Sequence, residues 1–173
     1  RALLGLARGA LARKEYAKAE DWRSRALQSE PRNTDVRLVR AEVKAAQDRW
    51  GEAASILREA VVLDPQRPEL HEELGRTLRK AGRLQDAADV FRRAASTFPD
   101  RAGHFQWLYG RILFRMNEFG EAAYYYRRAL EFEPHDWRIY VDLGKACANL
   151  QQLDEAKGAP LDWVVLDKLP LQP

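Results

Sequence analysis

Residues 120–134 read GEAAYYYRRALEFEP, and residues 85–99 read QDAADVFRRAASTFP. Each stretch has alanine as its third and tenth letter and proline as its fifteenth. Two further copies keep these three letters, AKAEDWRSRALQSEP at residues 17–31 and GEAASILREAVVLDP at residues 51–65. The closing prolines are 34, 34 and 35 residues apart, and a constant period of this length indicates a repeat protein.

A second small residue is associated with the repeats at a fixed distance. It lies 12 residues before the first patterned alanine, and the series is Ala41, Gly75, Gly110 and Gly144. This spacing predicts a helix, a short turn and a second helix in each repeat. Glycine or alanine on the first helix, facing alanine on the second, allows the two backbones to approach closely. The proline ends each pair because it lacks an N–H group and disfavours helical geometry in the residue before it.

Several of these residues resemble the tetratricopeptide repeat, whose pattern is W-x2-L-G-x2-Y, then A-x3-F, then P. Repeat three matches the pattern with Leu74, Gly75, Leu78, Ala87, Phe91, Ala94 and Pro99. Repeat four matches it with Tyr109, Gly110, Leu113, Ala122, Tyr126, Ala129 and Pro134, and repeat five with Tyr140, Leu143, Gly144 and Ala156. The resemblance implies an all-α fold, a right-handed superhelical solenoid of helix-turn-helix hairpins.

The resemblance covers residues 1–157 and divides them into four and a half repeats. Repeat one is recognised mainly through Ala19, Ala26 and Pro31. Its abrupt start predicts that the segment belongs to a larger multi-repeat protein. The expected boundaries are residues 1–33, 34–67, 68–102 and 103–136, a partial repeat at 137–157, and a divergent segment at 158–173.

Two repeats depart from the pattern. In repeat two the positions that are normally apolar hold Arg37, Arg40 and Lys44, and the residue before each of them is valine. Either this helix is rotated, or the aliphatic stems pack while the charged ends reach water. Repeat four has one extra residue near its start, and we expect Ala102 and Gly103 to absorb it in a looser turn.

Residues 158–173 do not continue the pattern. The period predicts alanine at position 163 and proline at position 168, where the sequence has Trp163 and Lys168. Gly158 and Pro160 are expected to stop the second helix of repeat five almost as it starts. The segment is then either a divergent cap over the apolar end of the stack or a ligand-like segment. The second interpretation predicts self-association if the segment enters the groove of another copy.

The same resemblance implies where a partner would bind. In this family the groove side chains lie at the second, fifth, ninth, twelfth and thirteenth positions of each repeat. In repeats three to five these positions are largely basic, with two aromatic residues near the centre, whereas those of repeat two are not basic. The candidate partner-binding residues are Arg76, Arg79, Lys80, His104, Trp107, Arg111, Phe114, Arg115, Arg138, Lys145 and Asn149.

Two interpretations of this residue set stay open. Arginine suits carboxylates because its guanidinium group binds a planar anion through two hydrogen bonds. Trp107 and Phe114 would then anchor an apolar side chain of the partner. Alternatively, the arginines solvate a helix face, and the two aromatic rings pack in the core.

The function we predict is a non-catalytic scaffold that holds a protein or peptide with acidic and apolar side chains. One alternative is binding of an anionic polymer, either a polysaccharide in bacterial export or RNA. Another is an architectural or self-assembly role in which a neighbouring repeat or residues 158–173 fill the groove. The balance of 29 basic and 26 acidic residues makes nucleic acid the less favoured partner. The compartment stays open between cytoplasm and periplasm.

Catalytic and metal-binding motifs are not found in the sequence. It has no glycine-rich phosphate loop, no nucleophile elbow and no helical histidine pair, so we expect no enzyme activity, cofactor or metal. A single cysteine, Cys147, excludes an internal disulfide and is expected to be a buried structural thiol. The apolar runs are too short for a membrane-spanning helix, so membrane insertion is not expected.

Overall fold

The computed structural model describes residues 33–156 continuously, together with scattered residues between 5 and 22. Seven α-helices and a short 3-10 helix at Pro99–Arg101 are found in the continuous part, which contains no strand. The α-helices are α1 (Thr34–Ala46), α2 (Trp50–Leu63), α3 (Pro68–Lys80), α4 (Leu84–Thr97), α5 (Ala102–Arg115), α6 (Phe119–Phe132) and α7 (Trp137–Ala156). The predicted all-α solenoid of helix-turn-helix repeats is confirmed.

The helices form hairpins that stack in chain order. Each helix packs against the next one along the chain, so α1 with α2, α3 with α4, and α5 with α6 form three complete hairpins. Helix α5 also contacts α7, two helices further on. The first helices of these neighbouring hairpins therefore lie beside each other. Most of the first predicted repeat, and all of residues 158–173, lie outside the described residues.

The patterned alanines lie in the core. In the three complete hairpins the third-letter and tenth-letter alanines are fully buried, namely Ala53, Ala60, Ala87, Ala94, Ala122 and Ala129. The second helices α2, α4 and α6 end two residues before Pro65, Pro99 and Pro134, because proline disfavours helical geometry in the residue before it. The positions that define the repeat are therefore the positions that pack most closely.

Two glycines receive aromatic rings from the second helix of their own hairpin. Gly75 lies so close beneath the ring of Phe91 that an added Cβ would overlap that ring. Gly110 lies beneath Tyr126, whose Cε1 would be 2.8 Å from an added Cβ. Both rings are buried. The space that glycine leaves is thus filled by an aromatic side chain, and this contact sets the distance between the two helices.

A residue with positive φ marks the turn of each complete hairpin. The φ values are 57° at Asp48, 76° at Gly82 and 64° at Asn117. The residue after each of these turns donates a backbone hydrogen bond of 2.9–3.0 Å to the carbonyl five residues earlier, as in the Schellman motif. Glycine, asparagine and aspartate adopt this left-handed conformation more readily than other residues do.

The equivalent position in repeat five is Gln151, and no turn occurs there. Glutamine is a good helix former and has no preference for the left-handed region. Helix α7 therefore continues through this position to Ala156, which makes it 20 residues long. The prediction that Ala156 belongs to the second helix of a hairpin is wrong, because this alanine ends the first helix.

Both departures from the repeat pattern are resolved in the structure. Val36, Val39 and Val43 of α1 are buried, and Val43 packs against Ala10. The side chains of Arg37 and Arg40 are half-buried and that of Lys44 is buried, so the helix turns its valines inward and the basic side chains pack as well. The extra residue of repeat four is accommodated in the 3-10 helix before α5. Ala102 and Gly103 are buried in the first turn of α5, and the expected looser turn is not found.

Cys147 is a free thiol that is partly buried against the core. Within the described ranges, no helix has the length and apolar character needed to cross a membrane.

The contact between Gly75 and Phe91 can be tested by adding one methyl group. We expect Gly75→Ala to lower the free energy of unfolding by about 1–3 kcal/mol, because the added Cβ overlaps the ring. Gly120→Ala is the matched control, because no atom lies within 4 Å of its added Cβ. Urea unfolding followed by circular dichroism measures both. Combining Gly75→Ala with Phe91→Leu should recover part of the loss, and an unchanged stability of Gly75→Ala alone would contradict the packing.

Candidate partner-binding face

The predicted groove residues lie on the three first helices α3, α5 and α7, and we call the surface that these helices form the first-helix face. Five of the eleven residues come from α5, which lies between the other two. On α3 lie Arg76, Arg79 and Lys80; on α5 lie His104, Trp107, Arg111, Phe114 and Arg115; and on α7 lie Arg138, Lys145 and Asn149.

Trp107 is buried, with only 7% of its surface exposed. Its indole Nε1 donates a hydrogen bond of 3.0 Å to Oδ2 of Asp142 on α7. The guanidinium groups of Arg111 and Arg138 lie 4.9 and 5.2 Å from the ring centroid, within cation–π range. Trp107 therefore joins α5 to α7 and does not present an open aromatic surface to a partner.

Asp142 is the carboxylate around which the α7 side of the face is organised. Besides Trp107, it lies 3.6 Å from Nε of Arg111 and 3.5 Å from Nζ of Lys145. Its side chain is about one-fifth exposed, so these charges are only partly screened by water. Arg111 and Lys145, two of the predicted groove cations, are thus already paired with a carboxylate of the protein itself.

Glu72 has the same role on the α3 side. Its carboxylate lies 2.5 Å from Nη2 of Arg76, 3.2 Å from Nε2 of His104 and 3.6 Å from Nη2 of Arg101. The close contact with the His104 ring, and then the positive charges of Arg76 and Arg101, lower the pKa of Glu72 against the opposing effect of burial. Glu72 therefore remains ionised and ties α3 to the start of α5.

Arg79 and Arg115 differ from their neighbours because neither makes an ion pair with a carboxylate in the described part of the chain. They line a cavity of about 180 Å³ between α3 and α5, together with Arg76, Arg111 and the apolar side chains of Phe91, Leu108 and Ile112. Burial, and then the charges of Arg115, Arg111 and Arg76, lower the pKa of Arg79. This cavity is a concentration of positive charge that the described residues do not fully neutralise.

A second cavity adjoins the first on the α7 side. It has a volume of about 380 Å³, and Arg111, Phe114, Arg115 and Lys145 contribute to its walls. Phe114 is half-buried and contacts Phe119 edge to face, with 5.1 Å between the ring centroids. Arg111 and Arg115 line both cavities, so the two cavities lie side by side across α3, α5 and α7, and we call the pair the depression.

The remaining predicted residues are held by local contacts. Arg138 makes two short hydrogen bonds to Asp136, of 2.9 and 2.6 Å, which lower the pKa of Asp136. Lys80 lies 5.9 Å from the ring centroid of Trp50. Asn149 donates to the carbonyl of Lys145, one turn earlier on α7. Arg138 and Asn149 line neither cavity, and Lys80 lines a separate cavity between α1 and α3.

Sequence reasoning missed Asp142 and the pairing role of Glu72. A signal for both exists, because Trp107 and Asp142 are 35 residues apart and Glu72 and His104 are 32 apart. Residues separated by about one period occupy neighbouring first helices. Opposite charges, or a donor and an acceptor, at that separation are therefore expected to meet across the interface between repeats.

A scan against protein-family models gives three overlapping matches to the model described as Tetratricopeptide repeat, at residues 38–102, 72–136 and 108–162. Together these matches cover well over half of the sequence. The chain belongs to the tetratricopeptide repeat family. Tetratricopeptide repeats serve in general as protein–protein interaction scaffolds and in general are not catalytic.

Solved structures of tetratricopeptide repeat proteins share the fold. MamA matches with 20% identity and a TM-score of 0.71, over 99% of this chain and 96% of that one. PilF of Pseudomonas aeruginosa matches with 18% identity and a TM-score of 0.70, over 95% and 78%. A thermophilic TPR protein of Thermus thermophilus matches with 22% identity and a TM-score of 0.66, over 85% and 80%. No curated protein matches this sequence.

A metal site needs several ligating side chains that converge on one point. In the part of the chain that the structure describes, no three His, Cys, Asp or Glu side chains do so.

The ionised state of Glu72 predicts a pH dependence of stability. Because the folded pKa of Glu72 is lowered, its contribution is fully present above its ordinary value of 4.5 and is lost as the pH falls through the folded pKa. Glu72→Gln should therefore cost roughly 1 kcal/mol at neutral pH, and the difference from wild type should shrink in acid. Urea unfolding across this pH range measures it.

Glu69→Gln is the control for this measurement, because Glu69 pairs with Arg101 at 2.8 Å but is more than half exposed. It should change the free energy of unfolding little at any pH. A Glu72→Gln penalty that persisted undiminished in acid would show that the loss is not electrostatic.

Proposed function

We propose that the first-helix face holds a segment of a protein partner, and that the cavity between α3 and α5 receives an acidic side chain of that segment. The observation that supports this proposal is a pair of arginines on the cavity wall without carboxylate partners among the described residues, half-buried Arg79 and exposed Arg115. A carboxylate entering the cavity would replace water around these charges and accept two hydrogen bonds from a guanidinium group.

The size and lining of the cavity favour a side chain over a free small molecule. A volume of about 180 Å³ is below the range of roughly 300–1,000 Å³ that is usual for cofactor and drug-sized ligands. Phe91, Leu108 and Ile112 form the floor of the cavity, but each is at most 4% exposed, so the arginine side chains supply most of the contact surface. Apolar side chains of the partner segment would instead contact half-buried Phe114 in the adjoining cavity.

The arrangement of charges also supports discrete acidic groups rather than a continuous polyanion. Glu72 and Asp142 flank the depression on its two sides, and each already engages several basic groups. A polymer with a negative charge on every unit would bring further charges close to these carboxylates. Like charges at such distances are unfavourable, so a peptide with spaced acidic residues fits better.

The decisive experiment compares the double variant Arg79→Glu/Arg115→Glu with the charge-matched control Arg93→Glu/Arg128→Glu. Arg93 and Arg128 are exposed arginines on the second helices α4 and α6, so the control makes the same change in net charge away from the first-helix face. The probes are labelled short peptides carrying Glu or Asp beside Leu or Phe, and their Gln or Asn counterparts. Fluorescence anisotropy measures binding.

We expect the double variant to bind the acidic peptides about 100-fold more weakly than wild type, because two charge-assisted interactions are lost. The control should bind like wild type, and the amide counterparts should bind weakly to every form. Equal binding by both double variants would overturn the proposal. Preferential binding of single-stranded RNA or heparin, with affinity that falls steeply with salt, would favour the polymer alternative instead.

A further inference from the structure

A third cavity lies between α1 and α3, and the function proposed above does not use it. Its volume is about 240 Å³, below the roughly 300–1,000 Å³ that is usual for small-molecule sites. Arg76 and Arg79 of α3 contribute to its walls as well as to those of the cavity between α3 and α5. The other walls come from α1 and α2. We call it the α1–α3 cavity.

The α1–α3 cavity is the counterpart, one repeat earlier, of the cavity between α3 and α5. All seven residues that line the cavity between α3 and α5 have a counterpart 34 or 35 residues earlier in the sequence, and every counterpart lines the α1–α3 cavity. Ion pairs beside the two cavities keep the same register, because Arg67 pairs with Asp35 and, 34 residues later, Arg101 pairs with Glu69. The chain therefore builds the same cavity twice with different side chains.

The α1–α3 cavity is more apolar than its counterpart. At the positions of the two α3 arginines it has Glu42 and Ala45 from α1. Leu38 occupies the position of Glu72, the carboxylate that gathers basic groups one repeat later. Trp50, the first residue of α2, lines the cavity too. Because Leu38, Ala45 and Trp50 are each only half-buried, they present apolar surface to an incoming group.

The charges around the α1–α3 cavity disfavour a charged occupant of either sign. Glu42 and Glu73 line it together with Arg76, Arg79 and Lys80. Oε1 of Glu73 lies 3.7 Å from Nη1 of Arg76, and burial raises the pKa of Glu73 against the effect of that arginine. A further carboxylate would meet two acidic groups, and a further cation would meet three basic groups. A neutral apolar side chain avoids both penalties.

We propose that the α1–α3 cavity receives an apolar side chain, such as leucine, from the same partner segment whose acidic side chain enters the cavity between α3 and α5. This inference rests on the proposed function, which provides the acidic contact. Ala45 sets the preference, because its counterparts in the next two cavities are Arg79 and Phe114. These three residues then specify an apolar, an acidic and an apolar side chain in successive repeats.

The distance between neighbouring cavities restricts the spacing of the two side chains. Helices that pack side by side are about 8–10 Å apart. A polyproline II segment has three residues per turn and rises about 3.1 Å per residue, so residues three apart lie on the same side, about 9.3 Å from each other. We therefore expect the apolar and the acidic residue of the partner to be three positions apart.

The test varies the partner and the cavity together, with the full chain as the protein. The probes are labelled peptides that carry one glutamate and, two, three or four positions away in either order, a leucine, an alanine or a second glutamate. Ala45→Arg copies the equivalent Arg79. Ala95→Arg is the matched control, because Ala95 is also half-buried but lies on the second helix α4. Fluorescence anisotropy measures binding.

We expect wild type and Ala95→Arg to bind the leucine peptide with three-residue spacing about tenfold more tightly than the alanine peptide, because the leucine side chain becomes buried. Ala45→Arg should lose this preference. It should bind the peptide with a second glutamate more tightly than the leucine peptide, since the cavity then carries an additional guanidinium group.

The outcomes separate this inference from the proposed function. Equal binding of leucine and alanine peptides to wild type at every spacing, with the dependence on glutamate intact, would overturn this inference alone. A leucine preference that Ala45→Arg leaves unchanged would do the same. A leucine preference that Ala45→Arg removes, in peptides whose binding does not depend on glutamate or on Arg79 and Arg115, would overturn the proposed function and support the apolar cavity.

Photo-crosslinking provides a second measurement that needs no protein variant and is therefore independent of the folding of Ala45→Arg. A peptide with photo-leucine at the apolar position should label Leu38, Ala45 or Trp50, and mass spectrometry locates the label. Labelling confined to α7 or to the second helices α4 and α6 would contradict the proposal.

Discussion

An aromatic ring lying over a glycine holds the two helices of a hairpin at short distance, and the stacking of the hairpins depends on that distance. Phe91 over Gly75 and Tyr126 over Gly110 are two instances in the described chain. Around each contact the patterned alanines are fully buried, because only small side chains fit between helices so close together. The remaining side chains of the first helices can then line up from one hairpin to the next.

This alignment creates the charge distribution of the first-helix face. Glu72 and Asp142 each gather several basic groups, and between them Arg79 and Arg115 have no carboxylate partner among the described residues. Burial, and then the neighbouring positive charges, lower the pKa of Arg79. The number of arginines is therefore a poor guide to where an acidic partner would bind; the useful information is which of them the protein leaves unpaired.

The fold was predictable because its determinants recur. Alanines, glycines and prolines return at a fixed period, and each has a single physical role in close packing or in helix termination. The helix that contains Ala156 was not predicted correctly, although Asp48, Gly82 and Asn117 also recur at that period and Gln151 breaks the series. For the candidate site, the sequence predicted which positions face the groove but not which contacts their side chains make. Trp107, for example, is buried and donates a hydrogen bond to Asp142, one repeat later.

Many of the polar contacts join residues of different repeats. Arg67 pairs with Asp35 at 2.7 Å, Arg58 with Asp86 at 3.3 Å, and Arg101 with Glu69 at 2.8 Å, each across roughly one period of sequence. In a linear array, stability is approximately the sum of the intrinsic terms of the repeats and the coupling terms between nearest neighbours. These ion pairs contribute to the coupling terms alone, and salt screens them. Ionic strength therefore acts on how cooperatively the repeats unfold, while the aromatic contacts inside each hairpin keep the individual units intact.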